Sequence, residues 1–206
     1  MKKIAMMFVM VGFVLSGCSS VEKTIVQSLN EEIEKQNSCS SESTKLSELM
    51  KDENVIYDEI IEIGTESYDD ISELVSKGKE NIKSSQEILS TYEICVKDSV
   101  KDKEKLEEAA LKINDAAVKS ETLALLESYH NYQNSLIQYI ESLKSLIETQ
   151  NNFYDSITVD TSLTEIESLV YKINEAIEMT NQVSTEHKGL LNEFNTLFTE
   201  YFEKYK

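Results

Sequence analysis

Apolar side chains recur every three or four residues along nearly the whole chain after Ser20, the spacing that places them on one face of an α-helix. The pattern predicts helices over about residues 21–63, 65–114, 115–155 and 162–205. Ser162 and Glu165 have the spacing of a capping box, which marks the start of the last helix. The polar run at 37–43 predicts a break within the first helix, because its short side chains compete for backbone hydrogen bonds.

The apolar stripe of the last two helices occupies three positions of each heptad, which is wide enough to face two neighbouring helices. Helices of similar length with short connections near Gly64, Asn114 and 156–162 favour antiparallel neighbours. We therefore predict an all-α fold: an elongated antiparallel four-helix up-and-down bundle with coiled-coil-like packing, preceded by a signal peptide. The bundle would form a single domain over residues 21–206.

Composition favours helices and removes several classes of function. The 206 residues include no Pro, no Arg and five Gly, and 38 acidic side chains against 20 basic ones give a net charge of -18. A nucleic-acid binder needs clustered cationic charge, which is the opposite balance. No Gly-rich phosphate loop and no Gly-x-Ser-x-Gly motif occurs, so nucleotide binding and acyl transfer lack a scaffold. We predict that the protein is not an enzyme and holds no cofactor and no metal.

The first eighteen residues have the order of a lipoprotein signal. Two lysines precede an apolar run over 4–14, which is shorter than the about 20 residues that cross a bilayer. Four residues that resemble a bacterial lipobox follow: Leu15, Ser16, Gly17 and Cys18. This resemblance implies cleavage after Gly17 and thioether lipidation of Cys18. The alternative is an ordinary signal peptide with an incidental cysteine.

Lipidation would decide where the protein works. Residues 1–17 would be removed as a signal peptide, and residues 18–20 would be the lipidated N-terminus. Two fatty-acyl chains such as palmitate are enough for stable anchoring. The mature protein would then lie on the extracytoplasmic face of the cell membrane, and the loss of Lys2 and Lys3 would take its net charge from -18 to -20.

The whole chain resembles the YkyA-like family of lipoproteins of Gram-positive bacteria, which is named for cell-wall binding. The resemblance rests on the lipobox followed by helical sequence, on the segment from Ile60 to Ile71, and on the aromatic pattern from Phe194 to Tyr205. It implies a four-helix up-and-down bundle in the cell envelope and no catalytic residue. Cys39 and Cys95 are not part of that resemblance.

Cys39 and Cys95 leave two interpretations open. If the first two helices are antiparallel, the axial heights of the two cysteines differ by less than about 10 Å, and an exported protein can hold a disulfide. Alternatively, Cys95 is a core thiol on the apolar stripe and Cys39 is an exposed free thiol. The pattern favours the second interpretation.

Two further polar features are candidates for chemistry. His187 lies on the apolar stripe of the last helix near Thr180 and Ser184, where a polar layer fixes helix register more often than it binds a ligand. No second histidine at helical spacing supports a zinc site. The doublets Glu31-Glu32 and Glu107-Glu108 indicate solvated faces, since adjacent residues point apart on a helix.

The sequence therefore favours a non-enzymatic, membrane-anchored lipoprotein that binds the cell wall or has a structural role in the envelope. A surface scaffold or adhesin with a protein partner is the alternative, and a regulator of a wall enzyme is the third hypothesis. Wall polymers are usually anionic, so we expect wall contact through divalent cations, through stacking of sugars on tyrosine, or through an envelope protein.

Overall fold

The computed structural model describes residues 20–64, 68–100 and 103–206. These residues form six helices and no strand: α1 (Val21–Ser38), α2 (Ser40–Ile63), α3 (Tyr68–Ser99), α4 (Lys103–Leu111), α5 (Ala116–Ser156) and α6 (Leu163–Tyr205). The predicted all-α bundle is confirmed. The bundle has four rods. The first consists of α1 and α2, the second of α3 and α4, and the third and fourth are the single helices α5 and α6.

Two of the expected helix boundaries need correction. The break expected over 37–43 is reduced to Cys39, and helix resumes at Ser40. The helix expected over 65–114 is two helices, because α3 ends at Ser99 and α4 begins at Lys103. The Ser99 hydroxyl donates a hydrogen bond to the carbonyl oxygen of Val96 at 2.6 Å, the local side-chain bond that competes with helix continuation.

The ends of the long helices are set by capping residues. Asp115 precedes α5, and its carboxylate accepts hydrogen bonds from the backbone N–H groups of Ala117 and Val118. Ser162 and Glu165 form both bonds of the predicted capping box at the start of α6. Gly64 ends α2 with a φ of 82°, a conformation that residues with a Cβ rarely adopt.

α5 is the central rod of the bundle. It packs against α6 along its length and also contacts α3 and α4, while α2 pairs with α3. At 41 residues it is about 60 Å long. Its buried side chains follow helical spacing over the whole helix and include Leu125, Tyr129, Leu136, Ile140, Leu143, Ile147 and Tyr154. α5 therefore carries the largest share of the core.

α6 is the most peripheral of the long helices. Its fully buried residues lie on one heptad position: Ile166, Ile173, Thr180, Phe194 and Tyr201. Other apolar positions of its stripe are only half-buried, among them Leu169, Val170, Ile177 and Leu191. The expectation that this stripe faces two neighbours along its whole length is therefore only partly met.

The two ends of the bundle differ in closure. The end where α1 begins is here called the N-terminal end. There α1 contacts α4 and α6, and both of these helices also contact α5, so the four rods form a ring. At the opposite end, here called the far end, α2, α3 and α5 pack together. Within the described residues no extensive interface joins α2 to α6. The bundle is thus open along one edge of its far half.

Candidate functional site

The predicted lipidation site lies outside the described residues. Leu15, Ser16, Gly17 and Cys18 all precede Ser20, where the described structure begins. The Ser20 hydroxyl accepts a hydrogen bond from the backbone N–H of Lys23 and so caps α1. The first helix therefore starts three residues after Cys18. Among the described helices, none is both long and apolar enough to cross a membrane.

A disulfide joins Cys39 to Cys95 in the structure. Their Cα atoms are 5.9 Å apart, within the usual range for a disulfide, and the two residues are separated by 56 positions in sequence. Cys39 is buried at the junction of α1 and α2, and Cys95 lies on α3. The sequence favoured free thiols with Cys39 exposed, and the structure has the other alternative: Cys39 is 1% exposed and bonded. The bond fastens the interruption of the first rod to the second rod.

The polar layer around His187 lies between α5 and α6. The His187 ring stacks between Tyr132 and Tyr139, with ring centroids 5.5 and 5.8 Å away, and its Nδ1 is 3.0 Å from the Ser135 hydroxyl. Burial, and secondarily the nearby charge of Lys188, lowers the pKa of His187 to about 4. The imidazole is therefore neutral at physiological pH and acts as a flat, hydrogen-bonded packing group.

No group of three or more His, Cys, Asp or Glu side chains in the described parts of the chain is arranged to hold a metal ion. The other histidine, His130, lies with its Nδ1 3.8 Å from Glu107 Oε1. His130 is on α5 and Glu107 on α4, so this contact joins two helices of the N-terminal end.

Two glutamates are buried in the core, and the sequence interpretation missed both. Glu32, expected on a solvated face, is fully buried and accepts a short hydrogen bond from the Tyr129 hydroxyl. Glu53 is 1% exposed on α2. The signal that could have found them is heptad position: Glu32 lies seven residues after Ile25, and Glu53 lies midway between Leu46 and Ile60.

Glu53 belongs to a polar cluster between α2, α3 and α5. The Asn81 amide nitrogen donates to the Leu49 carbonyl at 2.8 Å and lies 3.4 Å from Glu53 Oε2. Burial raises the pKa of Glu53 to about 7, and the nearby Tyr154 hydroxyl and the hydrogen bond from Asn81 partly offset that rise. The Tyr154 ring lies directly over Gly78, where a Cβ would overlap it, so glycine is needed for this approach.

A polar groove runs along the outside of the α5–α6 pair towards the far end. It comprises two adjoining cavities of about 310 and 410 Å³, and Leu169 and Lys172 line both. The α5 wall presents Ser142, Ser145, Thr149 and Asn152. The connection between the helices adds Thr158, Asp160 and Thr161. Leu169, Ala176 and Met179 line the first cavity as well, so the groove combines hydroxyl and amide groups with an apolar strip.

Charge is distributed unevenly along the bundle. The far end, residues 57–64, 68–79 and 149–172, contains three lysines, of which Lys77 pairs with Glu73 and Lys79 with Asp155. Ten carboxylates lie in those ranges: Asp58, Glu59, Glu62, Asp69, Asp70, Glu73, Asp155, Asp160, Glu165 and Glu167. The N-terminal end, residues 20–27, 107–121 and 198–206, has five lysines against seven carboxylates. The net negative charge is thus concentrated at the far end.

Comparison with known proteins gives a family and a fold. The model of the YkyA family, described as "Putative cell-wall binding lipoprotein", matches residues 20–204. The fold is similar to the crystal structure of a conserved protein of unknown function from Staphylococcus aureus, with a TM-score of 0.73 and 12% identity. That match covers 92% of this chain and 98% of the other. No curated protein matches the chain.

The Cys39–Cys95 bond can be tested by thiol titration. In a Cys18→Ser variant, which leaves only these two cysteines, we expect no titratable thiol in the denatured, unreduced protein and two after reduction. Because the bond closes a long loop, its reduction should lower the free energy of unfolding by about 2–4 kcal/mol. Two thiols before reduction would show that the cysteines are free.

The buried Glu53 predicts a specific pH dependence of stability. Between its usual pKa of 4.5 and the folded value of about 7, the unfolded chain loses a proton that the folded chain keeps. Stability therefore falls as the pH rises through this window and is constant above it. A Glu53→Gln variant should lack this fall and be more stable than the wild type at pH 8, by up to about 3 kcal/mol.

The exposed Glu48 on the same helix provides the matched control for this measurement. Urea unfolding of Glu48→Gln at pH 5 and pH 8 should reproduce the wild-type loss of stability. Equal losses in the Glu53→Gln variant would mean that Glu53 does not titrate in the window.

Proposed function

Since the chain belongs to the YkyA family, we propose that it is a non-enzymatic lipoprotein, anchored through Cys18 on the extracytoplasmic face of the cell membrane, whose bundle contacts the cell wall. The observation that carries the proposal is the position of the family match, which begins at residue 20, two residues after the candidate lipidation site. α1 begins at the next residue, Val21. The lipid would therefore be attached almost directly to a helical rod about 60 Å long.

The form of the bundle supports a binding role. Its core is filled by side chains of α1 to α6, and the two cavities described above are open grooves on the surface of the α5–α6 pair. The α5–α6 groove and the carboxylates of the far end lie on the half of the bundle away from the proposed anchor. This placement suits contact with a wall polymer that lies beyond the membrane surface.

The negative charge of the far end determines how an anionic polymer could be held there. Two anionic surfaces repel one another, and divalent cations such as Ca²⁺ or Mg²⁺ bridge carboxylate and phosphate oxygens. We propose that the far end contacts the wall through such cations, with the hydroxyl and amide groups of the groove contacting sugar.

A second candidate function is a surface scaffold for an envelope protein. The observation that favours it is a set of exposed apolar side chains towards the far end: Val55, Ile61, Ile63, Val159, Leu163, Tyr171 and Met179. Exposed apolar groups of this kind are frequent at protein interfaces. A protein partner would bind isolated bundle without wall polymer or added cations.

Cell fractionation tests the anchor. Wild-type protein should sediment with the membrane, whereas Cys18→Ala, which lacks the thiol to be alkylated, should lose the lipid and its membrane attachment. Ser19→Ala, which changes the adjacent residue, is the matched control and should behave as wild type. Membrane retention of Cys18→Ala at the wild-type level would contradict lipid anchoring through this residue.

Sedimentation with purified cell walls tests the contact. Unlipidated bundle should sediment with walls when Ca²⁺ or Mg²⁺ is present and should be released by a chelator. Neutralising Asp58, Glu59 and Glu62 to Asn, Gln and Gln should weaken sedimentation more than neutralising Glu186, Glu193 and Glu200, although the charge change is equal. Chelator-resistant sedimentation would contradict the cation bridge, and equal weakening would contradict contact by the far end.

A further inference from the structure

The N-terminal end of the bundle is held close to the anchor, if Cys18 carries the lipid as proposed above. Three peptide steps separate Cys18 from Val21. A fully extended chain advances by no more than about 3.6 Å per residue. The Cα atom of Val21, where the first helix starts, therefore lies within about 11 Å of the Cα atom of Cys18. Whatever projects past the start of α1 at this end must therefore lie at the depth of the lipid headgroups when the bundle stands upright.

The α4–α5 turn projects past the start of α1. Thr122 of α5 shares a hydrogen bond of 2.7 Å with the Tyr201 hydroxyl, and Glu22 of α1 lies near enough to both Tyr201 and Tyr205 to influence them electrostatically. The first turn of α1 is therefore near the level of the last turn of α6, which Thr122 contacts. α5 begins six residues earlier, at Ala116. Six residues of helix extend it by about 9 Å, nearly the full reach of the link to Cys18.

The last turn of α6 lies at the same end. Tyr201 is at the level of Thr122, and α6 continues to Tyr205, about 6 Å further along its axis. Lys204 forms an ion pair with Glu121, which fixes the last turn of α6 against the first turns of α5. The Lys206 ammonium group lies 5.7 Å from the centre of the Phe202 ring. An amphipathic pair thus lies at the same end of the bundle as the α4–α5 turn.

The turn itself has the chemistry of a lipid contact. Leu111 is 59% exposed, and the neighbouring Lys112 is exposed and forms no ion pair with another described residue. The turn is not loose, because Ile113 is 3% exposed in the core and Asp115 caps α5. A fixed turn that presents a leucine and a lysine matches the boundary between acyl chains and phosphates, where apolar side chains enter the lipid and lysine reaches the headgroups.

We propose that the N-terminal end is a lipid-contact surface, formed by Leu111 and Lys112 of the α4–α5 turn with Phe202 and Lys206 of α6, and that this surface holds the bundle upright on an anionic phospholipid membrane. Lys112 would pair with lipid phosphates, and Lys206, which pairs with Glu203 in the structure, would exchange that exposed partner for a phosphate. The far end has ten carboxylates and three lysines, so an anionic membrane repels it more strongly than the N-terminal end, which has seven carboxylates and five lysines. This difference in repulsion, together with the lipid contacts of the N-terminal end, favours an upright bundle over one lying flat.

The chain contains no tryptophan, which allows a single fluorescent reporter at either end. Leu111→Trp places it at the N-terminal end. Val159→Trp places it at the far end, at a residue that is 72% exposed, and is the matched control. Mature protein beginning at Cys18 would be coupled through that thiol to a maleimide lipid in phosphatidylcholine–phosphatidylglycerol vesicles, since the disulfide leaves Cys39 and Cys95 unavailable. Quenchers would be phospholipids with a doxyl group near the headgroup.

We expect emission from the Leu111→Trp variant to shift to the blue and lose most of its intensity to the doxyl lipid, while emission from Val159→Trp stays unchanged. Adding Lys112→Gln and Lys206→Gln to Leu111→Trp should reduce the quenching. A Phe202→Trp variant reports on the same end if Leu111→Trp proves poorly folded by circular dichroism. Unquenched emission from both N-terminal reporters, or equal quenching at the two ends, would overturn the proposal.

This experiment and cell fractionation fail independently. The vesicle tether is chemical, so its outcome does not depend on whether cells lipidate Cys18. If Cys18→Ala stayed with the membrane in cells, the anchor proposal would be overturned. An unquenched N-terminal reporter on a tethered bundle would overturn the lipid-contact surface alone.

Discussion

The burial of α5 is the constraint on which the rest of the structure depends. This helix is apolar on a face too wide for one neighbour, and α3, α4 and α6 all pack against it. The other rods take their places from this requirement: α6 follows α5 as a hairpin, and the first rod completes the core against α3 and, near its start, against α4 and α6. Where the first rod does not reach α6, the bundle stays open.

Polar groups at core positions give this packing a single register. An apolar heptad repeat alone allows helices to slide by one repeat, and a buried polar residue that finds its partner only in one alignment prevents this. The α5–α6 seam has Thr180 bonded to the Ser142 carbonyl and His187 bonded to Ser135. Glu53 with Asn81 and Glu32 with Tyr129 have the same effect between other helices, and the disulfide adds a covalent alignment.

Much of the fold was accessible from sequence because it depends on local patterns. Helical spacing gave the four rods, and the Ser162–Glu165 capping box placed the start of α6 correctly. The patterns failed where the outcome depends on neighbours. Predicting the burial of Glu32 and Glu53 requires knowing that their heptad position faces the core between a particular pair of helices. Their charge alone indicated exposure to solvent.

The candidate site was less accessible than the fold for the same reason. Axial heights placed Cys39 and Cys95 within about 10 Å of the same level, which allows a bond without requiring one. Whether the two Cβ atoms face each other depends on how α1 and α2 join. The α5–α6 groove exists because α6 has no second neighbour in the far half, which a three-position apolar stripe does not indicate. The groove has no sequence motif of its own.

A strongly negative bundle can be anchored to a negative membrane because charge acts over a short distance. At physiological ionic strength the screening length is about 8 Å, while the bundle is about 60 Å long. The far-end carboxylates of an upright bundle therefore lie many screening lengths from the headgroups and add almost nothing to repulsion at the anchor. The charge that matters there belongs to the N-terminal end, where five lysines accompany seven carboxylates. The proposed upright orientation would thus let one end of the molecule tolerate the membrane while the other end keeps the high negative charge density that the proposed cation-mediated wall contact requires.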